Sequence, residues 1–220
     1  MKLIQKGFGC EYEMNIFINI FFRRDEEGTV TTDFRHENGV ITVKTDIEFE
    51  GAHYFGEYSY AFLNSETDPR KIKKIYGCCC MKSFCAAAQK IRNIPLPWGV
   101  MSGIRPAKTV RQFRDEGYSY DEIKGIIRDI YGVSEKKLDL ALRVAKNEGK
   151  ILARAQKNSV SLYIGIPFCP SRCLYCSFVS TDIKNSGGYM DEFCTLLCRE
   201  IEKTGEILHE LGFFVQNIYI

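Results

Sequence analysis

The sequence contains no long apolar run. A membrane-spanning helix needs roughly 18 or more consecutive apolar residues. The best stretch, Met14 to Phe22, is short and carries Asn15 and Asn19. The N-terminus, Met1 to Lys6, lacks the apolar core of a secretory signal peptide. These absences predict a cytoplasmic protein with no membrane partner.

An excess of one charge is also missing, and histidine is scarce. The net charge is +2, from 30 Lys and Arg against 28 Asp and Glu, and this balance argues neither for nor against nucleic acid. We expect no nucleic-acid partner. Two of the three histidines, His36 and His53, stand next to no cysteine or paired carboxylate. We expect both to be ordinary surface or turn residues, and the N-terminal region shows no catalytic constellation.

Cysteine, in contrast, is abundant, with ten in 220 residues. In a cytosolic chain this number favours metal or redox chemistry over a disulfide framework. One cysteine, Cys10, is isolated. The others form three groups: Cys78, Cys79, Cys80 and Cys85; Cys169, Cys173 and Cys176; Cys194 and Cys198.

The first and third groups are interpreted as packing residues. Asp68-Pro69 begins a predicted helix, on which Cys78, Cys79 and Cys80 point about 100° apart and cannot converge on one ion. Cysteine there is expected to act as a small buried hydrophobe. Cys194 and Cys198 share a helix face, so a two-thiol metal site is conceivable. Because Cys194 lies within the apolar stripe, packing is the preferred interpretation.

The second group has the spacing C-x3-C-x2-C and directly follows the apolar run Leu162 to Ile166. No fourth cysteine or histidine stands at a matching distance. Three thiolates can hold a [4Fe–4S] cluster by three of its irons, which leaves the fourth iron open. An open position is typical of a catalytic rather than a structural centre. A zinc or redox site is the alternative.

The N-terminal region is predicted to be β-rich. Strands are expected at Ile16–Phe22, Thr29–His36 and Val40–Phe49, with a fourth at Glu57–Phe62. The second and third are joined through Asn38-Gly39, a residue pair preferred in tight hairpin turns. The helix that begins at Asp68-Pro69 completes this region.

A helical connector follows. Pro106 begins a short helix that ends at Gly117, Ser119–Glu122 has the form of a capping box, and a further helix runs from Ser134 to about Gln156. Four cations spaced by three share one face of the first helix and form either a solvated surface, which composition favours, or an anion site. They are Arg105, Lys108, Arg111 and Arg114.

From Ser161 onward the pattern predicts a strand, the cysteine loop, a helix that stops at Gly212, and a strand at Phe213–Ile220. This order is typical of a parallel β-α-β unit. One such unit cannot form a stable sheet, so we expect the chain to be the N-terminal part of a longer protein. The overall class is α/β, divided into 1–94, 95–157 and 158–220.

A C-x3-C-x2-C loop after a first strand resembles the radical S-adenosylmethionine superfamily. The resemblance implies a partial TIM-like barrel, here truncated, and the cofactors [4Fe–4S] cluster and S-adenosyl-L-methionine. It carries the role of cluster ligand onto Cys169, Cys173 and Cys176. Tyr175 matches the aromatic residue that packs near the adenine in this superfamily.

Two stretches are similar to one branch of that superfamily, the HemZ-type oxygen-independent coproporphyrinogen III oxidases (dehydrogenases). They are Leu162 to Cys169 and Trp98 to Lys108. The resemblance implies oxidative decarboxylation of two coproporphyrinogen III propionates to vinyl groups, which gives protoporphyrinogen IX. It implies a porphyrinogen substrate and an electron donor. Tyr163 and Phe168 match residues of the S-adenosylmethionine site, and no catalytic residue beyond the cluster ligands is assignable.

The chain departs from the pattern of the coproporphyrinogen enzymes at two places. Those enzymes have a histidine where this chain has Gly165, and a fourth cysteine where it has Ser177-Phe178. Relatives that bind and deliver haem share much of the motif without the decarboxylase activity. A haem-binding relative and an iron–sulfur redox protein therefore stand as alternatives.

Overall fold

The computed structural model describes residues 1–62, 67–186 and 188–220. The chain divides into two compact units, Met1–Gly149 and Lys150–Ile220. Both mix helices and strands, in agreement with the predicted α/β class. The three-part division at 94/95 and 157/158 stays a prediction. None of the described helices is both long and apolar enough to cross a bilayer.

The elements follow one another in a mixed order. In the first unit they are β1 (Lys2–Lys6), α1 (Glu11–Phe21), β2 (Gly28–Glu37), β3 (Val40–Phe49), β4 (Ala52–Ala61), α2 (Pro69–Ala88), α3 (Pro106–Asp115), α4 (Tyr120–Tyr131) and α5 (Glu135–Leu152), whose last turn passes into the second unit. In the second unit they are β5 (Ser159–Tyr163), β6 (Phe168–Cys169), β7 (Thr181–Asp182), a 3-10 turn (Ile183–Asn185), α6 (Tyr189–Glu210) and β8 (Phe214–Tyr219).

A four-stranded sheet in the order β1-β2-β3-β4 organises the first unit. β1 runs parallel to β2, and the other two pairs are antiparallel. The turn between β2 and β3 is formed by Asn38 and Gly39, at φ +51° and +73°. Both values are in the left-handed region that such two-residue turns require, so the predicted hairpin is confirmed.

The strand predicted at Ile16–Phe22 is wrong, because this stretch lies in α1. Met14, Phe17, Ile18 and Phe21 are buried at helical spacing on one face. Isoleucine and phenylalanine favour strands when considered singly. Their burial along one helical stripe overrides that preference.

Of the two edge strands of the sheet, the sequence does not predict β1 and predicts only the second half of β4. β1 carries no clear signal, and β4 begins at Ala52 rather than at Glu57. The second hairpin turn, Glu50-Gly51, has φ values of +51° and +76°. Its residues fall outside the pairs that signal such turns most strongly, which is why the predicted start of β4 is too late.

α2 begins as predicted and packs on β3 and β4. The Asp68 carboxylate accepts a hydrogen bond of 2.9 Å from the Arg70 amide, and Pro69 occupies the first turn. Cys78, Cys79 and Cys80 are all buried, which confirms their interpretation as core residues.

The approach of α2 to the sheet is closest at Gly56 of β4. A Cβ atom at this position would lie 2.2 Å from the Ser83 carbonyl oxygen and 2.6 Å from the Ala87 nitrogen. The Ser83 hydroxyl donates to the carbonyl oxygen of Val43 at 3.0 Å and lies 2.8 Å from the Thr45 hydroxyl. Glycine therefore allows backbone-to-backbone contact, and a buried polar pair fixes the register of the two layers.

An ion pair joins the segment that follows α2 to the loop before β2. The Arg92 guanidinium donates to both carboxylate oxygens of Glu26, at 2.8 and 2.5 Å. These hydrogen bonds lower the pKa of the Glu26 carboxyl from 4.5 to about 2. The folded value lies below the unfolded one, so the pair stabilises the fold above about pH 4.5 and its contribution is lost as pH falls towards about 2.

We expect Glu26→Gln to remove this pH-dependent stabilisation. The free energy of unfolding in urea should be lower for the variant at neutral pH, and its difference from the wild type should shrink between about pH 4.5 and about pH 2. Glu27→Gln, at the exposed neighbouring position, is the matched control. Its free energy of unfolding should follow the same pH dependence as that of the wild type. If the difference in free energy of unfolding between the wild type and Glu26→Gln stayed constant across this pH range, the Glu26–Arg92 ion pair would not be the source of the pH dependence.

The helical connector confirms the predicted signals. The Ser119 hydroxyl accepts from the Glu122 amide at 3.3 Å, and the Glu122 carboxylate accepts from the Ser119 amide at 2.7 Å, which completes the capping box. Ile123 and Ile127 are fully buried on the inner face of α4. α5 ends at Leu152, a turn earlier than the predicted Gln156.

The stretch from Trp98 to Lys108 is held against the C-terminal end of α4. The Val100 amide donates to the Tyr131 carbonyl at 2.8 Å. Gly99 has φ +56°, and a Cβ atom there would lie 1.9 Å from the same carbonyl oxygen. Only glycine permits this path of the backbone.

In the second unit, β5 pairs parallel with β8, and α6 lies between them in the chain. The predicted β-α-β unit is confirmed. Its sheet has two strands among the described residues, and these residues form no barrel. Every residue of β8 is exposed, and α6 has no buried residue.

Candidate metal centre

The cysteine loop leaves the carboxyl end of β5, and a short ladder holds it closed. β6 pairs parallel with β7, with Phe168 opposite Thr181 and Cys169 opposite Asp182. The Thr181 amide also donates to the Pro167 carbonyl at 2.7 Å. The two ends of the loop therefore meet, and Cys169 is the last residue of its first strand. Carboxyl ends of parallel strands are the usual place for ligands in open α/β sheets.

The other two predicted ligands follow within the loop. The Cys176 amide donates to the Cys173 carbonyl at 2.9 Å, so a tight turn joins them. Cys173 is exposed, whereas Cys169 and Cys176 are half-buried, and all three thiols are free. Access from solvent is the first requirement of a ligand set that must take up metal.

The cysteines of α2 differ from these in their access to solvent. Cys78, Cys79 and Cys85 are buried, and burial raises the pKa of each thiol to about 12. A metal binds the thiolate, not the thiol. The buried thiols of α2 are therefore poor metal ligands, whereas the accessible thiols of the loop are a donor set that fits a thiolate-bound cluster.

The loop does not gather its sulfur atoms in this conformation. Among the described residues, no three His, Cys, Asp or Glu side chains are arranged so that they could hold a metal ion. The assignment of Cys169, Cys173 and Cys176 as ligands stays a prediction, and binding would have to bring their three sulfur atoms together.

Aromatic rings flank the loop on two sides. Tyr163, the last residue of β5, is stacked on Tyr219 of β8 with ring centroids 5.4 Å apart. Phe168, beside Cys169, contacts Phe193 of α6 edge to face at 5.2 Å. Tyr175 is 90% exposed. The structure thus packs Phe168, the residue before the first cysteine, against α6, and the roles of these three aromatic residues at a cofactor stay predictions.

Sequence reasoning does not identify the two supporting rings, Tyr219 and Phe193. Tyr219 is the strand partner of Tyr163, so its place depends on the β5–β8 register, which shifts between Val160 and Ser161. Phe193 belongs to the predicted apolar stripe of α6, and only the contact with Phe168 shows that it supports the loop.

Gly165, one of the two departures from the coproporphyrinogen enzymes, lies beside Tyr163. A Cβ atom at Gly165 would be 3.4 Å from Cε1 of that tyrosine, with no other atom within 4 Å. The backbone there accommodates other residues, so glycine is not demanded by the fold. A side chain at this position would contact the ring predicted to face the cofactor.

The packing predicted for Cys194 is wrong in this structure. Cys194 and Cys198 are both exposed. Their helix has a half-buried apolar stripe that includes Phe193 and Leu197, but no second layer covers it among the described residues. Cys194 therefore lacks the partners that would make it a core residue.

The basic face of α3 is divided between two environments. Arg111 pairs with Glu148 at 3.4 Å, and the Arg114 guanidinium donates to the Tyr118 carbonyl and lies over the Tyr120 ring. Arg105 and Lys108 are exposed. Half of the predicted cationic face is thus used for packing within the first unit.

Comparison with known proteins gives one relevant similarity. The chain is 32% identical over 129 residues to the oxygen-independent coproporphyrinogen-III oxidase-like protein HemZ of Bacillus subtilis (strain 168). The match covers 58% of this chain and 26% of that protein, so the chain spans about a quarter of its relative. No family model matches, and no solved structure matches. Over the matched residues, the chain is therefore similar to a HemZ-type oxidase-like protein.

Proposed function

We propose that this chain is part of a radical S-adenosylmethionine enzyme that oxidatively decarboxylates coproporphyrinogen III to protoporphyrinogen IX without oxygen. The observation that carries the proposal is the loop of three accessible thiols at the carboxyl end of the parallel strand β5. The relationship to the HemZ-type protein supports the porphyrinogen substrate. The proposed location is the cytoplasm, and a one-electron donor is the proposed partner.

The residues of the loop have distinct parts in this proposal. Cys169, Cys173 and Cys176 would hold the cluster, and a fourth protein ligand is absent from the motif. When bound, the cluster and S-adenosyl-L-methionine would supply a deoxyadenosyl radical for removal of a hydrogen atom from a propionate β-carbon, and loss of carbon dioxide would release one further electron to a one-electron acceptor. Tyr163 and Phe168 would line the methionine and adenosine groups, and both are already oriented by neighbouring rings.

The β5-α6-β8 unit is proposed as the first unit of a partial TIM-like barrel. Exposed apolar side chains on both strands and the helix support this idea, among them Tyr163 of β5, Leu196 of α6 and Ile218 of β8, which are 53 to 70% exposed. Contiguous apolar surface of this kind normally packs against further structure. The active site would then be completed by residues of the longer protein.

The experiment is anaerobic reconstitution of the complete protein with iron and sulfide, followed by measurement of deoxyadenosine with and without coproporphyrinogen III. We expect deoxyadenosine formation under reducing conditions and release of carbon dioxide from carboxyl-labelled substrate. A Cys173→Ala variant should form neither, whereas Cys198→Ala, which alters another exposed thiol, should form both.

Other outcomes distinguish the alternatives. A haem-binding relative would retain haem through purification and release no carbon dioxide. An iron–sulfur redox protein would load the cluster but would not cleave S-adenosyl-L-methionine. Either result would overturn the proposed decarboxylase.

A further inference from the structure

A cleft of about 430 Å³ lies in the first unit, between α1, α2 and the segment 100–104. Its volume falls within the range of small-molecule sites, roughly 300 to 1,000 Å³. All of its lining residues belong to residues 8–131. No part of the proposed radical chemistry uses it.

One wall of the cleft is a single face of α2, which is charged near the start of the helix and apolar further along it. The lining residues on this face follow helical spacing: Arg70, Lys73, Lys74, Gly77, Cys78 and Met81. The cations occupy the first turns, and the small and apolar residues lie further along the helix. The N-terminal end of a helix is itself electropositive, so charge is concentrated at one end of the cleft.

The facing walls are mainly apolar. They include Phe8 and Ile16 from the N-terminal region and Val100 and Ile104 from the connector. The last two belong to the Trp98–Lys108 stretch, which Gly99 fixes against α4. The stretch that resembles HemZ-type proteins is therefore one wall of this cleft.

One of the three cations at the mouth, Arg70, is paired with the Asp68 carboxylate at 3.8 Å, whereas the two lysines are not neutralised within the described part of the chain. The Lys74 ammonium lies 5.4 Å from the centroid of the Tyr131 ring, and burial lowers the pKa of Lys74. Neither Lys73 nor Lys74 has a carboxylate within ion-pair distance among residues 1–62, 67–186 and 188–220. Glu13 is the one carboxylate in the described lining, which leaves a local excess of positive charge.

Gly77 gives the cleft its depth. Glycine inside a helix is less favourable than alanine. A Cβ atom at Gly77 would meet only Cys10 Cβ, at 3.8 Å, an ordinary contact. Packing therefore does not require glycine here, and its effect is to leave open space beneath the cations.

We propose that this cleft binds a small amphipathic carboxylate, that is, an apolar molecule with one carboxylate head group. Lys73 and Lys74 hold the head group at the mouth. The apolar body lies over Gly77 and against Ile16 and Val100. The Trp98–Lys108 stretch accordingly has a binding role of its own.

The test uses decanoate as the probe, below its micelle concentration, with the uncharged decanol as the neutral analogue. Binding to the ¹⁵N-labelled 220-residue chain is followed by amide chemical shifts. We expect saturable shifts at Gly77 and at residues 100–104, and decanoate binding about tenfold tighter than decanol binding, because a charged hydrogen bond contributes on the order of 1.5 kcal/mol.

Two pairs of variants separate charge from shape. The double variant Lys73→Gln/Lys74→Gln should bind decanoate about tenfold more weakly than the wild type and should bind decanol equally well. Lys136→Gln with Lys150→Gln, at exposed positions of α5, should change neither. Gly77→Ala should weaken both ligands while raising the melting temperature, whereas Gly125→Ala, in open space on α4, should raise it without affecting binding.

Three results would overturn the proposal. Equal binding of decanoate and decanol would make the cleft an apolar crevice without a head-group site. Shifts confined to residues 189–220 would place the probe on the exposed apolar surface of the second unit. Decanoate affinity unchanged in the Lys73 and Lys74 double variant, with its amide spectrum intact, would remove the cations from the site.

Discussion

Replacing any one of Cys169, Cys173 or Cys176 by Ala should abolish iron–sulfur loading of the complete protein. The motif offers no fourth cysteine or histidine that could substitute for a lost ligand. A cluster held by two thiolates would expose a second iron and is expected to be lost. The measurement is iron and sulfide content per chain after anaerobic reconstitution, together with the visible absorbance of the cluster.

The controls are the cysteines of the other two groups. Cys194→Ala removes an exposed thiol and should load iron as the wild type does. Cys79→Ala removes a buried one and should cost stability but not iron, since the pKa of that thiol is raised to about 12 by burial. Iron loss in Cys79→Ala equal to that in Cys173→Ala would show that the ligand set has been placed wrongly.

Gly56→Ala should destabilise the first unit by about 3 kcal/mol or more, at the upper end of overpacking effects. The added methyl would lie 2.2 Å from the Ser83 carbonyl oxygen, and the obstacle is main chain, not a side chain that can rotate. α2 would have to move off β4, and the buried hydrogen bond between Thr45 and Ser83 would stretch. Urea unfolding followed by circular dichroism measures the loss.

The same substitution at Gly125 should change the free energy of unfolding in the opposite direction. Gly125 lies in α4, and an added methyl group there would have no neighbouring atom within 4 Å. Alanine stabilises a helix by roughly 1 kcal/mol over glycine, so this variant should be the more stable one. If Gly56→Ala were as stable as the wild type, the close approach of α2 to the sheet would be refuted.

Sequence signals predicted the fold best where residues close in sequence are enough to satisfy them. The Asn38-Gly39 turn, the Asp68-Pro69 start of α2 and the Ser119 capping box are each satisfied by neighbouring residues, and the structure confirms each of them. The prediction for the segment of α1 failed because the spacing of its apolar residues fits both a strand, with a period of two, and a helix, with a period of about 3.6. What decides between them is the surface of α2 and the sheet against which Phe17 and Phe21 pack.

In the candidate site, too, some features follow from residues close in sequence and others depend on residues far apart in the chain. The place of the cysteine loop after β5 follows from the order of elements alone. The stacking of Tyr163 on Tyr219 depends on pairing across 56 residues of chain, including a shift of register that no local signal marks. The amphipathic cleft likewise needs Phe8, Lys74 and Val100 to meet from three distant segments, whereas the spacing of basic residues in the sequence points to the face of α3 instead.

The strand order of the first sheet has a consequence for how the protein is made. Spatial order equals chain order, so each new strand pairs with the one synthesised just before it. Contacts between residues close in sequence form quickly, because little loop entropy must be lost. The N-terminal layer can thus assemble on the emerging chain while the cysteine loop is still within the ribosome, and it would then be in place before any metal reaches the thiols.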